Sequence, residues 1–197
     1  MIPGMKCAIA AAAILLIVPA LAQSAEDRLG VPGPVTFQNK SYDLKWSSQP
    51  SETYVKQEYV PAGQAVEAST DMFLIEVVTK PIRPIDAASS QIQMLNGRKG
   101  SDPVVNYDIV QNEKTGEVLL DFLISDMQAS PIIVEWNAYR YVPRKDGDGV
   151  VLYAVTRRGY GEPDAKALLQ GLKSWRSGVI KALASFRAPP ATIRPVK

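Results

Sequence analysis

Four segments of alternating apolar and polar residues run almost without interruption over about 103–112, 117–126, 131–142 and 149–158, joined by EKTG, DMQAS and RKDGDG. Connections this short join antiparallel neighbours, since a parallel crossover needs about a dozen residues or more. The spacing predicts a meander of hairpins and excludes the doubly wound folds, with their ligand crevices at strand switch points.

The same strand logic holds upstream. Phe37 and then Tyr42, Leu44 and Trp46 flank the turn QNKS, Tyr54 to Val60 stops at Pro61-Ala62-Gly63, and Met72 to Val78 forms a third apolar segment. From Pro84 the period changes. Ile85, Ala88, Ile92 and Leu95 recur at helical spacing, Asp86 suits the positive end of a helix dipole, and Gly97 closes the pattern. A longer helix is predicted over 162–187, where Leu168, Leu172, Trp175, Val179, Leu183 and Phe186 form one buried stripe. Beside it, Ala167, Gly171, Ser174, Gly178, Ala182 and Ser185 form a small-residue flank expected to pack closely on the sheet. The expected fold is α+β: an antiparallel sheet of about six to eight strands, with the long C-terminal amphipathic helix and the shorter helix packed on one face. This order of elements resembles that of the small exported accessory domains of the PsbP type, which act by binding partners.

The N-terminus reads as a cleaved secretory leader. Lys6 precedes an apolar run from Cys7 to Val18 that is too short to span a bilayer, and Ala20-Leu21-Ala22 and Gln23-Ser24-Ala25 both offer small-x-small cleavage sites. Removal of 1–22 or 1–25 leaves one domain over 35–187, with a flexible lead-in at 26–34 and a proline-broken flexible tail at 188–197. Cys7 is the only cysteine and there is no histidine. Disulfides, thiolate or imidazole catalysis and structural zinc are therefore excluded from the mature chain, and no cofactor is expected. Losing Lys6 takes 22 basic residues to 21 against 20 acidic ones, a balance that attracts no nucleic acid.

Hairpin register supplies the candidate site. With EKTG as a four-residue turn, Ile109 faces Leu120, Tyr107 faces Phe122, and Asp108 faces Asp121 on the other surface. Continuing across DMQAS sets Phe122 against Val134 and Asp121 against Glu135, and the last turn brings Arg157 or Arg158 opposite Glu135. The expected result is a row of carboxylates, Asp108, Asp121 and Glu135, beside Asn137 and ending in a guanidinium. Like charges side by side on a sheet need a reason. A solvated face neutralised by Arg140, Arg157, Arg158 or Lys99 is one, a hard-cation site another, and paired-carboxylate hydrolysis a third. A second candidate surface is the last hairpin, where Tyr139, Tyr141, Tyr153 and Tyr160 cluster near Arg140, Arg144, Lys145, Arg157 and Arg158. KDGDG lacks the spaced ligands of a calcium loop and reads as a turn, and VTRRGYGEP fits neither glycine-rich phosphate motif.

The expectation from sequence is thus an exported binding or accessory protein without catalytic residues or metal. It would hold a protein or small ligand of the cell envelope through an exposed sheet face or the Tyr/Arg hairpin, in the periplasm or outside the cell, with no transmembrane helix in the mature chain. The alternative is a carboxylate-dependent hydrolase or hard-cation binder built on Asp108, Asp121 and Glu135.

Overall fold

Gln38 and Asn39 both adopt left-handed backbone angles, φ 47° and 62°. This tight reversal folds β1 (Val35–Phe37) back on β2 (Lys40–Ser51). The computed structural model describes residues 25–194, and the predicted leader falls outside them, save Ala25 under the later cleavage. Beyond the first hairpin follow β3 (Tyr54–Val60), one 3-10 turn (Val66–Ala68), β4 (Asp71–Val78), α1 (Pro84–Arg98), β5 (Asn106–Gln111), β6 (Val118–Asp126), β7 (Ile133–Pro143), β8 (Val150–Tyr160) and α2 (Gly161–Ser185).

All eight strands join one curled antiparallel sheet in the order β1-β2-β3-β4-β8-β7-β6-β5. Two four-stranded meanders meet where β4 pairs with β8, Phe73 opposite Val155 and Ile75 opposite Tyr153. The α+β expectation holds, but the helices do not share a face. Val179 and Leu183 of α2 pack with Phe73, Ile75, Trp136, Ala138 and Val155. Ala88 and Leu95 of α1 pack with Met72, Leu74, Leu120, Phe122 and Ala154. The central strands are apolar on both surfaces, and a sheet of that kind must be covered on both.

The lead-in and tail, expected to be loose, are built into the core on the α2 side. Leu29 is buried there, and the buried Gln57 accepts from the amides of Arg28 (2.6 Å) and Leu29 (3.0 Å) while donating to the Val31 carbonyl (3.2 Å). The tail pairs with that segment: Thr192 N donates to Leu29 O (3.0 Å) and Arg194 N to Arg28 O (2.8 Å). Proline breaks regular structure without preventing such pairing, since the residues between prolines keep their amides. The small-residue flank of α2 also departs from expectation. Ser174, Gly178 and Ser185 are exposed, and a Cβ on Gly178 would meet nothing. The helix lies on its large apolar stripe, which turns the adjacent flank outward.

Candidate functional site

The register across β6 and β7 decides what the predicted carboxylates can do. Asp108 faces Asp121 as expected. Strand β6 then runs on to Asp126, and the loop to Ile133 lies further along than the DMQAS turn, so Phe122 faces Asn137 rather than Val134 and Asp121 faces Ala138. A shift of three residues is odd, and an odd shift exchanges the two faces of a strand. Glu135 therefore lies on the α1 side, and Asp108 and Asp121 on the α2 side. The predicted row of three does not form.

On the α2 side Arg176 bridges the pair. Its Nε donates to Asp121 Oδ2 at 2.6 Å, and its second guanidinium nitrogen reaches both Asp121 Oδ1 (3.0 Å) and Asp108 Oδ2. Trp136 Nε1 donates to Asp121 Oδ2 at 3.3 Å. Neutralisation comes from this residue of α2, which the sequence reading left out. Its spacing signal was present, since Arg176 immediately follows stripe residue Trp175 and so sits at the edge of the buried face. The pair is held by a bidentate arginine, a geometry that suits structure rather than proton transfer.

On the α1 side Glu135 stands opposite Arg158 in register and is bonded to it. Asn137 Nδ2 donates to Glu135 Oε1 (2.8 Å), and Thr156 Oγ1 donates to Asn137 Oδ1 (2.8 Å). Arg158 also donates to the Val66 carbonyl (3.2 Å). A cleft of about 630 Å³ opens beside this network, with the Arg98–Asp102 pair on its other wall. Burial opposes the charge on Asp102, but bonds from Ser125, Val104 and Arg98 outweigh it and hold the carboxyl below the ordinary range. Each arginine here is already neutralised by an acid, which leaves the cleft with little to recognise a charged ligand. Arg157 points the other way, stacked on Trp175 at 4.2 Å, so the two adjacent arginines serve opposite faces.

Tyr139 packs edge-on against Phe122 (4.9 Å) under α1. Burial, aided by Glu76 and Glu135, pushes its hydroxyl well above the ordinary phenol range. Glu76 accepts from Tyr54 (3.0 Å), and its own pKa is raised by burial, with Lys56 and Tyr54 opposing. A carboxyl raised in the folded state stabilises below its unfolded pKa of about 4.3, and that contribution is lost as pH rises through the folded value. Glu76→Gln is therefore expected to be more stable than the parent at neutral pH, the difference shrinking as pH falls toward about 4, in chemical denaturation at stepped pH. A parent as stable as the variant at pH 7 would contradict the burial cause.

The third location is the turn end of the last hairpin. A cleft of about 510 Å³ has Val142, Val151, Tyr153 and Phe186 as its floor, with Arg144, Lys145 and Arg187 and one acid, Asp146, on its rim. Arg140 forms its base: it donates to Glu117 (2.8 Å) and to the Leu183 (3.1 Å) and Phe186 (2.8 Å) carbonyls, closing the C-terminal end of α2. Burial raises the Tyr153 hydroxyl to about 12, Arg140 partly opposing, so it stays protonated and donates to the Pro189 carbonyl at 2.8 Å. Lys145 and Arg187 are exposed and, among the described residues, stand in no ion pair. The hairpin cluster is thus split: Arg144, Lys145 and Tyr153 line this cleft, while Tyr139 lies under α1 and Arg157 under α2.

Also among the described residues, no group of three Asp, Glu, Cys or His side chains converges to hold a metal. A protein-family profile of unknown function matches residues 29–188. No curated protein and no solved structure matches the chain.

Proposed function

The chain belongs to that family of unknown function, and from the site alone we propose an exported, non-catalytic binding protein that holds an anion carried on an apolar body at the turn end of its last hairpin. The single observation behind this reading is the pairing of an apolar floor with the rim cations Lys145 and Arg187, which stand in no ion pair among the described residues. Ligand pockets have this construction: apolar walls provide buried area, and a few polar groups set orientation. The volume, about 510 Å³, falls within the usual range for small ligands. Carboxylate, sulfate and phosphate all suit the rim, where Arg144 and Arg187 offer planar forked donors and Lys145 a point charge.

A non-catalytic role is supported by the carboxylates. Asp108 and Asp121 are bound to Arg176 and Glu135 to Arg158, on opposite faces of the sheet. Export rests on the leader pattern at Lys6 to Ala25. Among the described residues no helix is long and apolar enough to cross a membrane.

Fluorescence titration with anilinonaphthalene sulfonate, checked by competition with decanoate, tests the site. Lys145→Ala and Arg187→Ala are each expected to weaken binding roughly tenfold, the value of one charge-assisted contact, while leaving the unfolding midpoint in place because both side chains are exposed. Saturable binding that neither change weakens would remove the cleft from consideration. Export is read separately from the N-terminus of the envelope-fraction protein, expected at Gln23 or Glu26; an intact Met1 would refute it.

A further inference from the structure

Among the described residues, strand β5 is a free edge of the sheet. Its ladder to β6 sets Asp108 opposite Asp121, and just beyond it the Asn112 amide donates inward to Glu117 O at 2.9 Å. The Tyr107 amide instead turns to its neighbour's side chain, Asn106 Oδ1, at 2.9 Å. Antiparallel residues alternate between bonding inward and outward, so Asn106, Asp108 and Val110 face β6, and Tyr107, Ile109 and Gln111 direct their backbone N–H and C=O groups away from the sheet.

This edge is weakly protected: Asn106–Gln111 contains no proline, no lysine and no bulge, and its one charge, Asp108, is paired with Arg176. Ile109 and Val110 are 38% and 66% exposed. Helix α2 crosses β8 and β7, leaving a groove of about 450 Å³ over β5 and β6, lined in part by Val110, Leu119 and Ile180.

We infer that β5 is a self-association edge, pairing antiparallel with β5 of a second copy about a two-fold axis through Ile109. The outward groups are placed symmetrically about that residue. The axis sets Tyr107 against Gln111 of the other copy and the two Ile109 against each other, so every outward donor and acceptor between them finds a partner. Charge selects the register. An axis at Asp108 would oppose two like carboxylates, whereas the axis at Ile109 sets Asp108 beside Val110. Charge also selects the occupant: Asp108 and Asp121 are balanced by Lys173 and Arg176 around the open surface, so two copies meet without net repulsion and a strongly charged peptide finds no field to follow. A six-residue edge falls in the class of small, transient interfaces, so the dimer forms with rising concentration.

Sedimentation equilibrium over a concentration series is expected to show the mass rising about twofold from one chain toward two. Ile109→Pro should abolish the rise and keep the unfolding midpoint, because the Ile109 amide takes no part in the β5–β6 ladder. Ile109→Lys, which leaves the backbone intact, should give the same result by charging the edge. In the parent, amide exchange at Tyr107, Ile109 and Gln111 should slow as concentration rises. A mass of one chain at every concentration overturns the inference, as does association that survives both substitutions.

Discussion

Truncating Trp136 to alanine is expected to cost about 4 kcal/mol, lowering the thermal midpoint by about 10 °C, as read by urea and thermal unfolding of parent and variant. Trp136 is 1% exposed and stands edge-on to Trp175 at 4.9 Å and 82°. It keys the middle of α2 to β7, as the Arg140 bonds to the Leu183 and Phe186 carbonyls do at the C-terminal end. Removing the indole takes away its transfer energy, leaves a cavity beneath the helix and strips Trp175 of its aromatic partner. It also withdraws the Nε1 donor from Asp121, whose carboxylate then depends on Arg176 alone. Trp136→Phe keeps most of the ring volume and should cost clearly less. Trp46, 41% exposed on β2, is the contrast: its alanine variant should lose no more than about 1 kcal/mol. Equal losses at the two tryptophans would refute the role assigned to the Trp136–Trp175 contact.

The second large effect is expected at Gly149, where alanine should cost about 4 kcal/mol or more or prevent accumulation of folded protein. A Cβ there would lie 1.9 Å from the carbonyl oxygen of Val78, the last residue of β4, and φ is +108°. Both terms oppose a side chain: the backbone of β4 cannot retreat without breaking its ladder to β8, and L-residues rarely adopt this angle. Gly147 separates the two causes. It has a similar angle, φ +110°, but open space around its Cβ position, so Gly147→Ala should show the conformational cost alone, about 1–3 kcal/mol. The excess at Gly149 measures the close approach of the two strands, and no excess would mean that approach does not constrain β8.

The hairpins were legible because their information is local. A turn of fixed length sets which residues face each other, and period-two alternation marks each strand, so the pairing of Asp108 with Asp121 follows from EKTG. The stripe from Leu168 to Phe186 was equally readable, since helical spacing alone defines it. The end of β6 at Asp126 agrees with the predicted segment 117–126, but the sequence could not show the register of β7: the turn occupies 127–132 rather than DMQAS, and that odd shift places Glu135 on the other face.

By itself, then, the sequence determined the elements, their antiparallel class and the exclusion of histidine and disulfide chemistry, because composition, turn length and periodicity act between near neighbours. Only the tertiary structure decided that α1 and α2 cover opposite faces, that Arg176 reaches across 55 residues of chain to Asp121, and that the lead-in and tail pair across the α2 side. Those contacts join segments with no sequence proximity, and they form because buried apolar faces and buried polar groups must each find a partner, wherever along the chain it lies.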